Sequence, residues 1–99
     1  MSGIRAIVMK SSDNTATAVE TIEPGSDVIL DIAGKKISFH ITQRIPFGHK
    51  FATRNIAKGE SILKYGESIG VASDDIKIGQ HVHVHNMESR RGRGDKTEQ

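Results

Sequence analysis

The 99-residue chain has no cysteine and no tryptophan, only two prolines and four aromatic residues, and no apolar run near the ~18 residues a membrane-spanning helix needs. Each absence removes a class of protein. Without cysteine there is no disulfide framework, no thiolate metal ligand and no cysteine nucleophile. The opening "MSGIRAIVMKSSDN" interrupts its short apolar stretch with an arginine, so neither a secretory signal nor a membrane anchor is expected, and a soluble cytoplasmic protein is. An excess of one charge is missing too: 14 Lys and Arg stand against 12 Asp and Glu, a net charge of +2, with the signs mixed along most of the chain. Binding to a nucleic-acid backbone is therefore not expected.

What is present suits one small globular domain. At this length folding hides roughly two thirds of the accessible surface, which permits a modest core. With 35% hydrophobic residues and few bulky ones, that core has little apolar material to spare, and a partner surface would make up the deficit.

Runs rich in Val, Ile and Thr recur between Gly, Pro, Asn and Asp about every 8 to 12 residues, the pattern of an all-β domain. Strands are expected at 4–10, 15–22, 27–32 and 35–42, with turns at "SSDN", "EPGS" and "AG", so that the first third forms a meander. Shorter strands follow Pro46, at 50–56, 61–66, 67–72 and 80–86, broken by frequent glycines that suit a bent sheet. A pattern Ile-x-x-Gly-x-x-Val/Ile occurs at Ile22–Val28, Ile56–Ile62 and Ile76–Val82, each reading as a glycine corner between core residues. The domain is expected to span residues 1–87. A charged tail, 88–99, follows it, since "MESRRGRGDKTEQ" has no apolar residue after Met87.

The chemistry concentrates in "HVHVHN", residues 81–86, which holds three of the five histidines. In an extended strand His81, His83 and His85 share one face, while Val82 and Val84 face the core. Neighbouring histidines on that face, roughly 6.6 Å apart, reach one metal ion, whereas the outer pair, about 13 Å apart, do not. The other ligands would come from His49, His40, a substrate or another chain. The alternative is a polar face whose imidazoles bond only to neighbours and water.

From Pro46 the chain reads "PFGHKFATRNIAKGESILKYGESIGVASDDIKIGQHVHVHN", and it closely resembles the SAF domain of the altronate and galactarate dehydratase family. The segments "GHKFA", "IAKGE", "KYGE" and "HVHVHN" occur in the family's order, and "DNTATA" near the start resembles the family's opening. The resemblance implies the SAF-type β-clip fold, a set of short bent strands. In the family this domain either precedes a large catalytic domain or forms a separate small subunit. The resemblance therefore implies a small subunit, inactive alone, that completes a site with a large catalytic dehydratase subunit. It also implies iron(II) or manganese(II), and elimination of water or sulfite β to the carboxylate of a hydroxy acid.

Carried onto this sequence, the resemblance makes His83, His85 and, less firmly, His81 metal contacts, and Asn86 a substrate contact. His49, Lys50 and His85 become catalytic candidates, with Lys64, Tyr65, Arg91 and Arg93 as further substrate contacts. A stand-alone module that binds sugar acids without chemistry is the alternative, with self-association possible in isolation. RNA binding through the arginine-glycine tail is the least supported reading, because the tail has only three arginines and two glycines.

Overall fold

Four glycines direct the path of the chain. The structure is a computed structural model and describes residues 5–89; within them Gly25, Gly48, Gly59 and Gly79 have φ of 91°, 84°, 92° and 88°. Each is the third residue of a turn closed by one backbone bond: Ser26, His49, Glu60 and Gln80 donate to the carbonyls of Glu23, Pro46, Ala57 and Lys77 at 2.9–3.2 Å. A positive φ at that position is what a type II turn demands, and glycine alone adopts it freely.

Three residues before and after each glycine stands a side chain at most 1% exposed: Ile22 and Val28, Ile45 and Phe51, Ile56 and Ile62, Ile76 and Val82. The repeated Ile-x-x-Gly pattern is thus structural. It has a fourth member, Ile45–Phe51, hidden because an aromatic residue takes the last position.

The corners work in two pairs. Ile22 bridges Ile45, and Ile56 bridges Ile76. The contacts also repeat between the halves: Gly48 donates to Ala18 as Gly79 does to Ala52, both at 2.9 Å. Each half buries its own cluster, one around Ile22, Ile41, Ile45 and Phe51, the other around Ile56, Ile62, Ile76 and Val82.

The strands are short. They are β1 (Ala6–Ile7), β2 (Thr15–Ala18), β3 (Asp27–Ile32), β4 (Lys35–His40), β5 (Lys50–Ala52), β6 (Ser61–Lys64), β7 (Glu67–Ala72), β8 (His81–Val82) and β9 (Met87–Ser89). They form three antiparallel sheets, ordered β1-β2-β5-β8, β3-β4 and β6-β7-β9, with no helix among the described residues. This is the expected all-β architecture.

The expected strands at 27–32 and 67–72 form with those bounds, and the others are shorter. The meander does not form: β2 pairs with β5 instead of β3. The reason is the Gly25 corner, which turns the chain out of the sheet so that β3 pairs only with β4, through a two-residue turn at Ala33 and Gly34. At the other end β9 pairs with β7 and carries the domain to Ser89, past the boundary expected at Met87; residues 90–99 lie outside the described residues.

A buried polar clasp joins the two halves. Asp13, 6% exposed, accepts from the backbone N–H groups of Lys10, Tyr65 and Gly66 at 3.2, 3.0 and 2.8 Å. Asn14 accepts from Leu63 N–H at 2.8 Å and donates to the Ser61 carbonyl at 2.9 Å, and the Thr15 hydroxyl donates to the Leu63 carbonyl at 3.0 Å. "DNT" therefore ties β2 to β6 with side chains where no backbone ladder exists. Asn14→Ala removes both of its bonds to β6 and is expected to cost about 2–3 kcal/mol in urea unfolding.

Candidate metal centre

The histidines converge from two segments because the corners bring β5 and β8 side by side. His49 closes the Gly48 turn, and its carbonyl accepts from Ala18 N–H at 2.8 Å, which seats it beside β2. His81 opens β8, opposite Phe51 in the ladder, and its N–H donates to Gln43 Oε1 at 2.9 Å. His83 follows two residues later. Gln43 carried no sequence signal for this role.

His49, His81 and His83 each present one ring nitrogen, and these nitrogens lie within 4.8 Å of one another. His49 Nδ1 and His81 Nε2 share a hydrogen bond of 2.8 Å. The rings stack nearly parallel: His49 and His83 have centroids 4.0 Å apart at 13°, and His49 and His81 5.0 Å apart at 11°. One ion with bonds of 2.0–2.1 Å to nitrogen needs ligand atoms roughly 3.4 Å apart in tetrahedral geometry, so the rings must turn toward one another to share it. His83 Nδ1 is buried and has no hydrogen-bond partner among the described residues. An orphaned buried ring nitrogen beside two converging imidazoles suits the donor chemistry of a metal site, and the residues fit a divalent ion.

The extended strand expected over 80–86 ends at Val82. Residues 83–86 form a turn in which Asn86 N–H donates to the His83 carbonyl at 3.0 Å. Two corrections follow. Val84 is 77% exposed instead of facing the core, and His85, expected out of reach of His81, has its ring 5.1 Å from the His81 ring. The turn folds the segment back and removes the distance that an extended backbone imposes.

Asn86, 8% exposed, explains the turn. Its Oδ1 accepts from His83 N–H at 3.0 Å and its Nδ2 donates to the His81 carbonyl at 2.8 Å, so one amide holds the backbone of two cluster residues. Asn86 thus carries a turn signal, a side-chain amide bonded back to the preceding backbone, that an extended reading passes over. Asn86→Ala is expected to weaken divalent-metal binding about 10- to 100-fold while the chain stays folded, checked by calorimetry and circular dichroism.

Burial, then the charges of His85, His49, His83 and Lys50, push the His81 pKa down to about 4. Burial first and His49 next lower that of His83. Between pH 6.5 and 4 the unfolded chain therefore binds the His81 proton that the folded chain refuses, so stability is full above 6.5 and falls on acidification. In chelator, going from pH 7 to 4 is expected to cost about 1 kcal/mol from this group, less than full linkage because the ring is partly exposed. Thermal unfolding of His81→Gln should show a flatter pH dependence over that range.

Lys50 sits between Thr17 and Val82 in the central sheet, and burial followed by the Lys64 charge lowers its pKa. Lys64 ends β6 with its Nζ 5.1 Å from the Tyr65 ring centroid. Tyr65 is 52% exposed and occupies a hairpin turn at φ 58°. His85 is exposed at the edge of the cluster. His40 is elsewhere, bonded to Asp27 at 2.9 Å. Arg91 and Arg93 lie outside the described residues.

Short bent strands, paired glycine corners and imidazoles gathered on one sheet edge define a SAF-type all-β domain with a histidine-lined surface site. The chain belongs to the altronate/galactarate dehydratase SAF domain family, whose model matches residues 4–90. It is 40% identical over 80 residues to an altronate dehydratase of Escherichia coli (strain K12), covering 81% of this chain and 15% of that one. It is 37% identical over 83 residues to that of Bacillus subtilis (strain 168), covering 84% and 16%. With the (2R)-sulfolactate sulfo-lyase subunit alpha of Chromohalobacter salexigens it shares 37% identity over 76 residues, covering 74% of this chain and 80% of that subunit. The chain thus spans a small part of the dehydratases and most of the sulfo-lyase subunit.

Proposed function

We propose that this chain is the SAF subunit of a lyase that eliminates a group β to the carboxylate of a hydroxy acid, and that it completes a site shared with a larger catalytic chain. The convergence of His49, His81 and His83 around the unpartnered Nδ1 of His83 carries this reading. Similarity to the sulfo-lyase subunit alpha over most of that subunit supports a separate small chain, and the length of the dehydratases supports a large partner.

In this reading the three imidazoles hold one divalent ion. When bound, the ion would supply positive charge to the substrate carboxylate and so favour loss of the neighbouring proton. An all-imidazole donor set favours iron(II) over manganese(II). The chain's own residues do the rest. Asn86 and Gln43 hold the backbone of His81 and His83 in place, so the donors are organised before substrate arrives. Depressed pKa values keep His81 and His83 neutral and ready to ligate at neutral pH. His85, exposed beside His81, is the group placed to hold or pass a proton.

Mixing this chain with its purified larger partner is the test. Lyase activity on hydroxy acids is expected from the mixture and from neither chain alone. Full activity of the larger chain by itself would overturn the proposal.

A further inference from the structure

The two halves repeat each other down to single bonds, and one strand breaks the repeat. Gly25 donates to the Ile41 carbonyl at 2.7 Å and Ile41 to the Ser26 carbonyl at 2.8 Å; Gly59 donates to the Ala72 carbonyl and Ala72 to that of Glu60, both at 2.8 Å. The hairpin β3–β4 of the first half therefore corresponds to β6–β7 of the second, with Ile41 in the place of Ala72. The next contact repeats as well: Thr42 donates to the Gly79 carbonyl at 3.1 Å and Ser73 to the Asn86 carbonyl at 3.0 Å. After Asn86 the chain runs on along β7 as β9. After Gly79 it leaves for β8, which pairs with β5, so β4 gains no third strand.

The bare edge has backbone groups to offer. Ile41 directs both its N–H and its carbonyl to the β3 side, and in an antiparallel pair this direction alternates along the strand. Ile37 and Phe39 therefore face β3, while Lys36 and Ser38 turn their backbone groups outward, where these have no backbone partner among the described residues. Beside this edge lies a cleft lined by Ile37, Ser38 and Phe39 of β4 and by Thr53, Arg54 and Ile78. Ile37 and Ile78 are 41% and 42% exposed. Arg54, like Lys35 at the start of β4, takes part in no ion pair among the described residues.

An open edge of this kind templates a further strand, and its surroundings say which. The segment needs apolar side chains for Ile37 and Ile78 and an acid for Arg54. Residues 90–99 contain no apolar side chain, and β4 of a second copy, "KKISFH", contains no acid. Resting on the proposed function for the identity of the partner, we infer that the larger catalytic chain docks here through an extended segment of apolar and acidic residues, added antiparallel to β4 as β9 is to β7. Backbone bonds to Lys36 and Ser38 supply affinity, and the cleft with Arg54 supplies selectivity.

The test is amide hydrogen exchange of the full chain, alone and mixed with the purified larger chain. In the complex the Lys36 and Ser38 amides should exchange at least about tenfold more slowly, as amides newly held in a ladder do. Ser38→Pro removes an outward donor without touching the β3–β4 ladder, and Arg54→Glu reverses the charge at the cleft. Each should weaken the complex at least about tenfold, the scale of one charge-assisted contact, and Lys58→Glu should not. Circular dichroism checks folding, and Arg54→Glu decides the matter if Ser38→Pro does not fold. A complex that leaves both amides unprotected, or that Arg54→Glu forms as tightly as the native chain, overturns this inference and leaves the shared site standing. Protection of the same amides in the isolated chain, with the mass of a dimer, gives the edge to a second copy and overturns it too. Absence of any complex overturns the proposed function, and this inference with it.

Discussion

His83→Ala is expected to weaken divalent-metal binding by at least about a hundredfold, beyond the loss typical of a supporting residue, because it removes one of three donors. The effect on folding should be small. Nδ1 of His83 has no hydrogen-bond partner among the described residues, so the ring's removal relieves an unsatisfied buried group while it deletes some packing. These oppose each other, and metal-free stability should change by about 1 kcal/mol or less. Calorimetry and the visible absorption of bound cobalt(II) read the affinity, and chemical unfolding reads the stability. His40→Ala, whose imidazole bonds Asp27 outside the cluster, is the control. Metal affinity unchanged in His83→Ala would end the assignment of this cluster.

Gly79→Ala is expected to produce the largest loss of stability. A β-carbon there would lie 2.0 Å from the His40 carbonyl oxygen, and the residue has φ of +88°. The contact is with backbone, so no side-chain rotation relieves it, and the corner that delivers His81 must shift. More than about 4 kcal/mol is expected, a large share of the ~5–15 kcal/mol that holds a small domain folded. Gly48→Ala is the informative comparison. Its φ is +84°, but nothing lies within 4 Å of the added carbon. It should cost only the ~1–2 kcal/mol of left-handed backbone strain. If the two variants unfold at the same denaturant concentration, the close approach at Gly79 is not what makes it glycine.

Local rules governed what was readable in advance. Alternation and turn chemistry marked β3 and β7 with their observed bounds, because each is half of a hairpin whose partner is next in sequence. The strands around the site are shorter than their sequence pattern implies because their lengths are set by distant partners: β8 pairs with β5 for two residues and then stops. The fourth corner is masked in the sequence because Phe51 fills a place that Val or Ile fills elsewhere, though the core asks only for an apolar side chain there.

The same division holds at the cluster. The residue types were visible, and so was the need for more ligands than "HVHVHN" supplies. His49 had been one of several candidate sources; the β5–β8 pairing made it the one that joins His81 and His83. Asn86 is legible in the sequence as a substrate contact, and the fold adds that its amide secures the turn.

Composition and spacing thus established a cysteine-free all-β chain, its glycine corners and its imidazole-rich segment, since these follow from side-chain chemistry and from two- and four-residue geometry. Which imidazoles meet and which stands apart came from long-range packing. That placement depends on two half-domains closing on each other across a buried Asp13, Asn14 and Thr15 clasp, with contacts about 50 residues apart that no local pattern encodes.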